Sequence, residues 1–462
     1  MTIRNVGASS TFPTIAAAVA AAAAGDTIRL EAGYSNERAV LTVQDLTVSG
    51  TASSLNIDLV LGVGIGNVTL GGLADIQVTD NGGNNNITGN GGDNTLRVAG
   101  GADVVLGGGG VDHLVIDYAD AVTSVIGTVG GVTDGGTNSV TFDAVENFTI
   151  LTGSNNDTVT TGDGDNLLRT ADGNDTISTG HGDSRINAGG GNDTVVTGDG
   201  DNTVNAGVGD NTVTTGGGSD IVTSGGGNDT LATGTGDDRV QVSGGIDTAD
   251  AGVGHDLLRV DYGHLLTNVT GSLSAGTVAD GYAGLVADAG GNSVSFTDVE
   301  HFNITTGSGD DSVRTGGGKD TLSGGQGQDF LHGGAGADIL VGGGGADTLV
   351  GGLGPDALTG GQGMDNFRFD DLDSRRGYAD LITDLEAQDT IDLRRIDSDV
   401  TAAGDQAFVF VSSFSGAAGE ATVTYQAGGD LTRLALDTDG DGAANIVIIA
   451  AGDQRAFEGF VL

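Results

Sequence analysis

The sequence predicts an all-β solenoid, and three observations carry that reading. A polar ladder residue recurs every nine residues at 85, 94, 103 and 112, again from 157 to 256, and again from 311 to 365. Two places after each ladder residue sits an apolar one, as in Val159, Leu168, Ile177 and Ile186, or Leu322, Leu331, Leu340 and Leu349. Glycine supplies 88 of the 462 residues and proline only 2, without the strict every-third-residue glycine of collagen. A helix would need a period near 3.6 residues, and a hairpin array would not hold one register so long. A nine-residue unit with one core residue buries too little alone, so stability must come from stacking.

The N-terminal stretch Ile15–Ala24, IAAAVAAAAA, follows Pro13-Thr14, which open it as a helix start. Only Arg4 precedes it as a positive charge, so a short capping helix is expected rather than a cleaved leader. The segment TIAAAVAAAAAGDTIRLEAGYSNERAVLTVQDLTVSG resembles the opening of right-handed parallel β-helix proteins. That resemblance implies a β-helix-like cap and first coils over residues 1–80. Polysaccharide lyases and epimerases use the same fold, with clustered Asp, Arg, Lys or His on one face. No such cluster stands before residue 80.

The turns between core residues, such as GGGGVD at Gly107–Asp112 and GGAGAD at Gly333–Asp338, need backbone conformations that a Cβ resists. Such turns can aim successive carbonyl oxygens at one spot. Carbonyl and carboxylate oxygens together suit a hard cation of calcium's size. GGQGQDFLH, GGAGADILV and GGGGADTLV, at 324–350, resemble in full the GGxGxDxUx nonapeptide of the RTX family, with the register extending over residues 81–367. The resemblance implies a calcium-binding parallel β-roll of two nine-residue half-turns per coil, with several Ca2+ ions between turns 18 residues apart. The expected metal ligands are Asp103, Asp112, Asp157, Asp175, Asp193, Asp220, Asp229, Asp238, Asp247, Asp256, Asp311, Asp320, Asp329, Asp338, Asp347, Asp356 and Asp365.

One edge of the middle block breaks the pattern. It reads Asn166, Ser184, Asn202 where the other edge reads Asp157, Asp175, Asp193. The amide edge is expected to bind calcium weakly or to hold its turns through side-chain hydrogen bonds. Asp163, Asp165, Asp199 and Asp201 are expected to point outward. The last block has Asp at all its ladder positions and should bind tightest.

Two spacers, 115–150 and 259–304, resemble each other, and Asn138–Asp157 aligns with Asn292–Asp311 without a gap. They are expected to be strand-rich and to pack on the roll or widen it, with Phe142, Phe148, Phe296 and Phe302 in the core. Residues 368–462, with DNFRFDDLDS, ADLITDLEAQDTIDL and LALDTDGDGAANIVI, resemble the β-rich domain that closes serralysin-type secreted peptidases. Asp437, Asp439 and Asp441 suggest a calcium loop, but the twelfth position is Ile448 rather than the Glu of an EF-hand. The ending EGFVL resembles the uncleaved signals of type I secretion substrates.

A net charge of −46 repels nucleic acid and anionic membranes and attracts cations. No cysteine is available for a disulfide or thiolate site, and no apolar run is long enough to span a membrane. HExxH, GxSxG and the P-loop are all absent, and regular Asp ladders are a stacking feature rather than one asymmetric constellation. The expected protein is therefore non-catalytic: a secreted, calcium-dependent structural component of an extracellular matrix, surface layer or adhesive coat. Its expected partners are calcium, type I secretion machinery, and either other copies of itself or cell-surface polysaccharide. The alternatives are a uronate-polymer lyase or epimerase on a β-helix scaffold, and an ice-binding protein.

Overall fold

The computed structural model describes all residues except 55, 371, 372, 375, 376 and 401–405. Asp371 and Leu372 of the DNFRFDDLDS phrase thus lie outside the described residues. The chain divides into two compact units, Met1–Ser224 and Gly225–Leu462.

In the first unit a short helix, Ile15–Ala20, covers the start of the solenoid. Thr14 caps it by accepting a hydrogen bond from the Ala17 N–H at 3.1 Å, and Glu37 accepts from Ile15 and Ala16. Ile15, Ala18 and Val19 form its buried face. The helix is shorter than the alanine run. Asp26 captures the Ala23 N–H and Gly25 takes a positive φ of 81°, so the chain turns before Ala24 can join.

Two parallel sheets follow. On one, Thr27–Leu30, Leu46–Gly50, Asn67–Gly72, Asn86–Thr88 and Ala102–Leu106 pair in sequence. On the other, Glu37–Leu41, Ile57–Leu61, Ile76–Thr79, Thr95–Val98 and His113–Asp117 do the same. From Thr158 the register is strict: Val159 stacks on Ile177, Val195 and Val213, and Leu168 stacks on Ile186 and Val204. These side chains are at most 1% exposed, which accounts for one apolar residue per half-turn.

The spacers widen one sheet only. In the first unit Ile126–Thr128 and Gly131–Thr133 form an antiparallel hairpin inserted between Ser139–Asp143 and Thr158–Thr160. The opposite sheet runs on through Asn147–Leu151 without an insertion. The second unit repeats the device with a longer hairpin, Val269–Thr277 and Gly281–Asp288. Phe148, Phe296 and Phe302 are core as expected, whereas Phe142 is half-buried and leans on the Phe148 ring at 4.9 Å. The Phe142 backbone N–H donates to the Gly130 carbonyl of the hairpin, where the sheet departs from the regular coil.

In the second unit the roll continues beyond Asp365. Asp380–Ile382 pairs parallel to Ala357–Gly363, and Thr390–Arg395 pairs parallel to Asn366–Asp370. An antiparallel meander of Glu420–Gln426, Leu431–Asp437 and Ile446–Ala451 then covers this end, the β-rich cap expected from the sequence. Among the described residues no helix is long and apolar enough to cross a membrane.

Candidate metal centre

Every ladder residue is buried, none more than 3% exposed. Along the aspartate runs each turn is held to the next by the same bond. The Asp157 N–H donates to Asp175 Oδ1 at 2.8 Å, and the Asp175 N–H donates to Asp193 Oδ1 at 2.8 Å, 18 residues on. The last block repeats it through Asp311, Asp329, Asp347 and Asp365, and through Asp320, Asp338 and Asp356. At the spacers the partners change: on one edge the Val125 and Val269 N–H groups donate to Asp157 and Asp311 Oδ1, and on the other, acids from outside the nine-residue count accept. Glu146 accepts from the Asp112 N–H and Glu300 from the Asp256 N–H, while Asp380 and Asp389 accept from Asp356 and Asp365. These four acids extend the expected set. Their intervals of 34, 44 and 24 residues hid them from a count by nine, although Glu146 and Glu300 stand in the recurring VEN and VEH phrases.

One carboxylate oxygen per residue goes to this bond. The other, Oδ2, is buried without a hydrogen-bond donor in Asp103, Asp112, Asp175, Asp193, Asp247, Asp256, Asp311, Asp320, Asp329, Asp338, Asp347, Asp356 and Asp365. Such a group is costly unless a proton or cation compensates it. Burial accordingly pushes Asp103, Asp112, Asp175 and Asp365 up to about 6. It pushes Asp247, Asp256, Asp320 and Asp329 up to about 7, and Asp338 up to about 8. Below these values the folded chain holds protons that the unfolded chain releases near pH 4, so metal-free stability falls as pH rises between them. In chelator, circular dichroism should therefore show more strand at pH 5 than at pH 7.5. An equal or weaker strand signal at pH 5 would contradict the burial of these acids.

The residue five places before each ladder position decides whether a cation fits. From Asp329 to Asp365 it is glycine, whereas Thr306 and Thr315 precede Asp311 and Asp320: a Cβ built on Gly342 would lie 2.4 Å from Asp347 Oδ2 and 2.7 Å from the Gly360 carbonyl oxygen. Those distances lie close to the roughly 2.3–2.6 Å of a calcium–oxygen contact. Gly324, Gly333, Gly351 and Gly360 stand the same way beside Asp329, Asp338, Asp356 and Asp365, and Gly107 beside Asp112. Elsewhere a side chain takes the place: Thr170 before Asp175, Ala188 before Asp193, Val242 before Asp247, Ala251 before Asp256, all buried. Thr152 donates its hydroxyl to Asp157 Oδ2. The buried carboxylates thus suit calcium, but the open cradle belongs to six of the aspartates.

The amide edge works differently. Asn166 and Asn202 each donate from Nδ2 to a carbonyl of their own turn, Gly164 and Gly200, at 2.8 Å. The amide hydrogens thereby occupy oxygens that a cation would use. One residue earlier, an exposed second ladder runs in the opposite sense: the Asn174 N–H donates to Asn156 Oδ1, and the Asp183 and Asp201 N–H groups donate to Asp165 and Asp183 Oδ1. Asp and Asn both present Oδ1, so exchanging them preserves both ladders and moves only the carboxylate, from the buried place to the exposed one. Asp163, Asp165, Asp199 and Asp201 are all exposed. Anomalous scattering from crystals grown in calcium should place ions beside Asp329, Asp338, Asp347, Asp356 and Asp365, and none between Asn166 and Ser184. Full occupancy at the latter pair would overturn the reading of the amides.

At the far end, Asp437, Asp439 and Asp441 bring carboxylate oxygens within 4.8 Å of one another. Asp437 is buried and already accepts from the Gly440 and Gly442 N–H groups.

Two family models agree with this geometry. Residues 246–462 match the Peptidase M10 serralysin C-terminal family. RTX calcium-binding nonapeptide repeats match in four copies, at 79–114, 151–186, 169–204 and 196–231. A stretch of 81 residues is 41% identical to the metallopeptidase AprA of Pseudomonas marginalis, spanning 17% of this chain and only 16% of that protein. The solution structure of the AlgE6R3 subunit of the Azotobacter vinelandii mannuronan C5-epimerase aligns over 33% of this chain and 78% of that one, at 27% identity and a TM-score of 0.19.

Proposed function

We propose that this chain, which carries RTX calcium-binding repeats and a serralysin C-terminal domain, is a non-catalytic structural protein of an extracellular matrix, surface layer or adhesive coat. The observation that carries the proposal is the column of buried carboxylates, in which Asp103, Asp112, Asp175, Asp193 and the aspartates from Asp311 to Asp365 hold an oxygen that only a proton or a cation can compensate. Micromolar cytosolic calcium leaves extracellular-type sites empty, whereas about 1 mM outside fills them. The chain therefore crosses type I secretion machinery expanded by its −46 charge, and calcium outside drives folding. Folding is confined to the cell exterior, where a long solenoid serves as a building element. Electron microscopy of the purified protein should show ordered sheets or filaments with calcium and none in chelator. Dispersed single particles in both would contradict the coat role.

A second reading rests on one surface. Thr158, Thr176, Thr194 and Thr212 stack in register as an exposed row, with Thr160, Ser178, Val196 and Thr214 beside it. A flat hydroxyl array of strand spacing suits ordered water, and thermal hysteresis in calcium is the expected sign of ice binding.

A further inference from the structure

The second spacer differs from the first in one respect that the solenoid does not need. Asp256 to Asp311 is ten residues longer than Asp112 to Asp157, and the extra length extends the hairpin Val269–Thr277/Gly281–Asp288. Its tip folds back over the next coil. The Gly317 N–H donates to the Tyr282 hydroxyl at 2.8 Å, and Gly316 and Gly317 leave room for the ring that any Cβ would strike. Beneath it lies an open cleft of about 780 Å³. Val278, Tyr282 and Ala335 give it an apolar side, and His255, His301 and Lys319 line the other, together with Glu300, whose carboxylate accepts from the Asp256 N–H.

The side with Lys319 is not a by-product of the repeat. Lys319 is the only lysine in the chain, and two of the six histidines stand beside it. In the duplicated first spacer the same ladder places hold Val111, Asn147 and Asp165, so a neutral and acidic set has become a basic one. The framework is unchanged: the Asp165 N–H donates to Asn147 Oδ1 at 2.7 Å, and the Lys319 N–H donates to His301 Nδ1 at 2.9 Å. Glu300 keeps the structural role of Glu146, with its carboxylate on the Asp256 N–H. Because His301 Nδ1 accepts, the ring carries its proton on Nε2 and offers a donor there. Lys319 is exposed and has no ion pair among the described residues.

We infer that this cleft binds a saccharide bearing a carboxylate, with the sugar face against Tyr282 and Val278 and the carboxylate on Lys319 and His301. An aromatic and apolar wall suits a pyranose ring, and a lone ammonium beside a ring N–H suits one carboxylate. A charge of −46 elsewhere repels a dense polyanion, so the ligand carries isolated acids, as a polysaccharide with occasional uronate residues does. This names the site and substrate class through which the proposed coat protein would hold cell-surface polysaccharide.

The test uses the full chain in calcium, with the glucuronyl-glucose disaccharide as probe and cellobiose as its neutral counterpart, followed by ligand-observed NMR. The acidic sugar should bind at least about ten-fold more tightly than cellobiose, and Lys319→Asp or His301→Asn should remove most of that preference, as loss of a charged hydrogen bond does. Both substitutions install the residue that the first spacer carries on the same backbone, so the fold should survive, as circular dichroism would confirm. No binding to the folded chain, equal binding of the two sugars, or an undiminished preference in both variants would overturn the inference. None of these results bears on calcium-dependent folding, which is read separately.

Discussion

Asp338→Ala should raise the calcium concentration at the folding midpoint roughly two- to five-fold and lower the secreted yield, because it removes a charge-assisted bond of about 1.5–3 kcal/mol together with an ion ligand. Asp338 Oδ1 accepts from the Asp320 N–H at 2.9 Å, and its Oδ2 faces the open cradle at Gly333, 2.4 Å from where a Cβ would lie. The site also lies in the block that leaves the secretion channel early if export runs from the C-terminus, so it can template the coils before it. Asp103→Ala is the comparison. It removes an equivalent bond, from the Asn85 N–H at 2.8 Å, but Val98 occupies the position that glycine holds before Asp338. Its midpoint should move far less. Equal shifts in a calcium titration followed by circular dichroism would contradict both the special place of the last block and the cradle argument.

Gly342→Ala should weaken calcium binding about as much as loss of the acid itself. The added methyl would sit 2.4 Å from Asp347 Oδ2 and 2.7 Å from the Gly360 oxygen, in the space that a cation needs. Gly342 does not use the left-handed backbone that its neighbour Gly343 adopts at φ 115°, so an unfavourable backbone conformation is not the cause. Gly428→Ala, where a Cβ meets nothing within 4 Å, serves as the control and should leave the midpoint unchanged. Isothermal titration should find fewer ions bound to the Gly342 variant. An unchanged ion count would show that the cradle lies elsewhere.

The ladder, its core residues and the coil of two half-turns were legible because each is a property of spacing. Val159 and Leu322 are buried for the same reason that they recur, two places beyond a turn. Glu146, Glu300, Asp380 and Asp389 escaped because they enter the ladder after insertions, and a fixed period cannot follow a hairpin or a longer coil. The difference between Gly342 and Ala188 was visible as letters, but its meaning needed the neighbouring coil: only stacking shows that the position faces Oδ2 of its own turn and a carbonyl of the next. The exchange of Asn and Asp likewise made sense only once two hydrogen-bond ladders of opposite direction were seen side by side. The pairing of Lys319 with His301 was not legible in the sequence, since 18 residues separate them and only the stacking of coils makes them neighbours.

The claim that calcium is a folding ligand for the buried ladder is tested most directly by far-UV circular dichroism of the purified chain, taken from chelator into millimolar calcium at pH 7.5. A coil-like spectrum in chelator that converts to strand as calcium is added is the expected result. A spectrum already rich in strand without the metal, and unchanged across the titration, would contradict it.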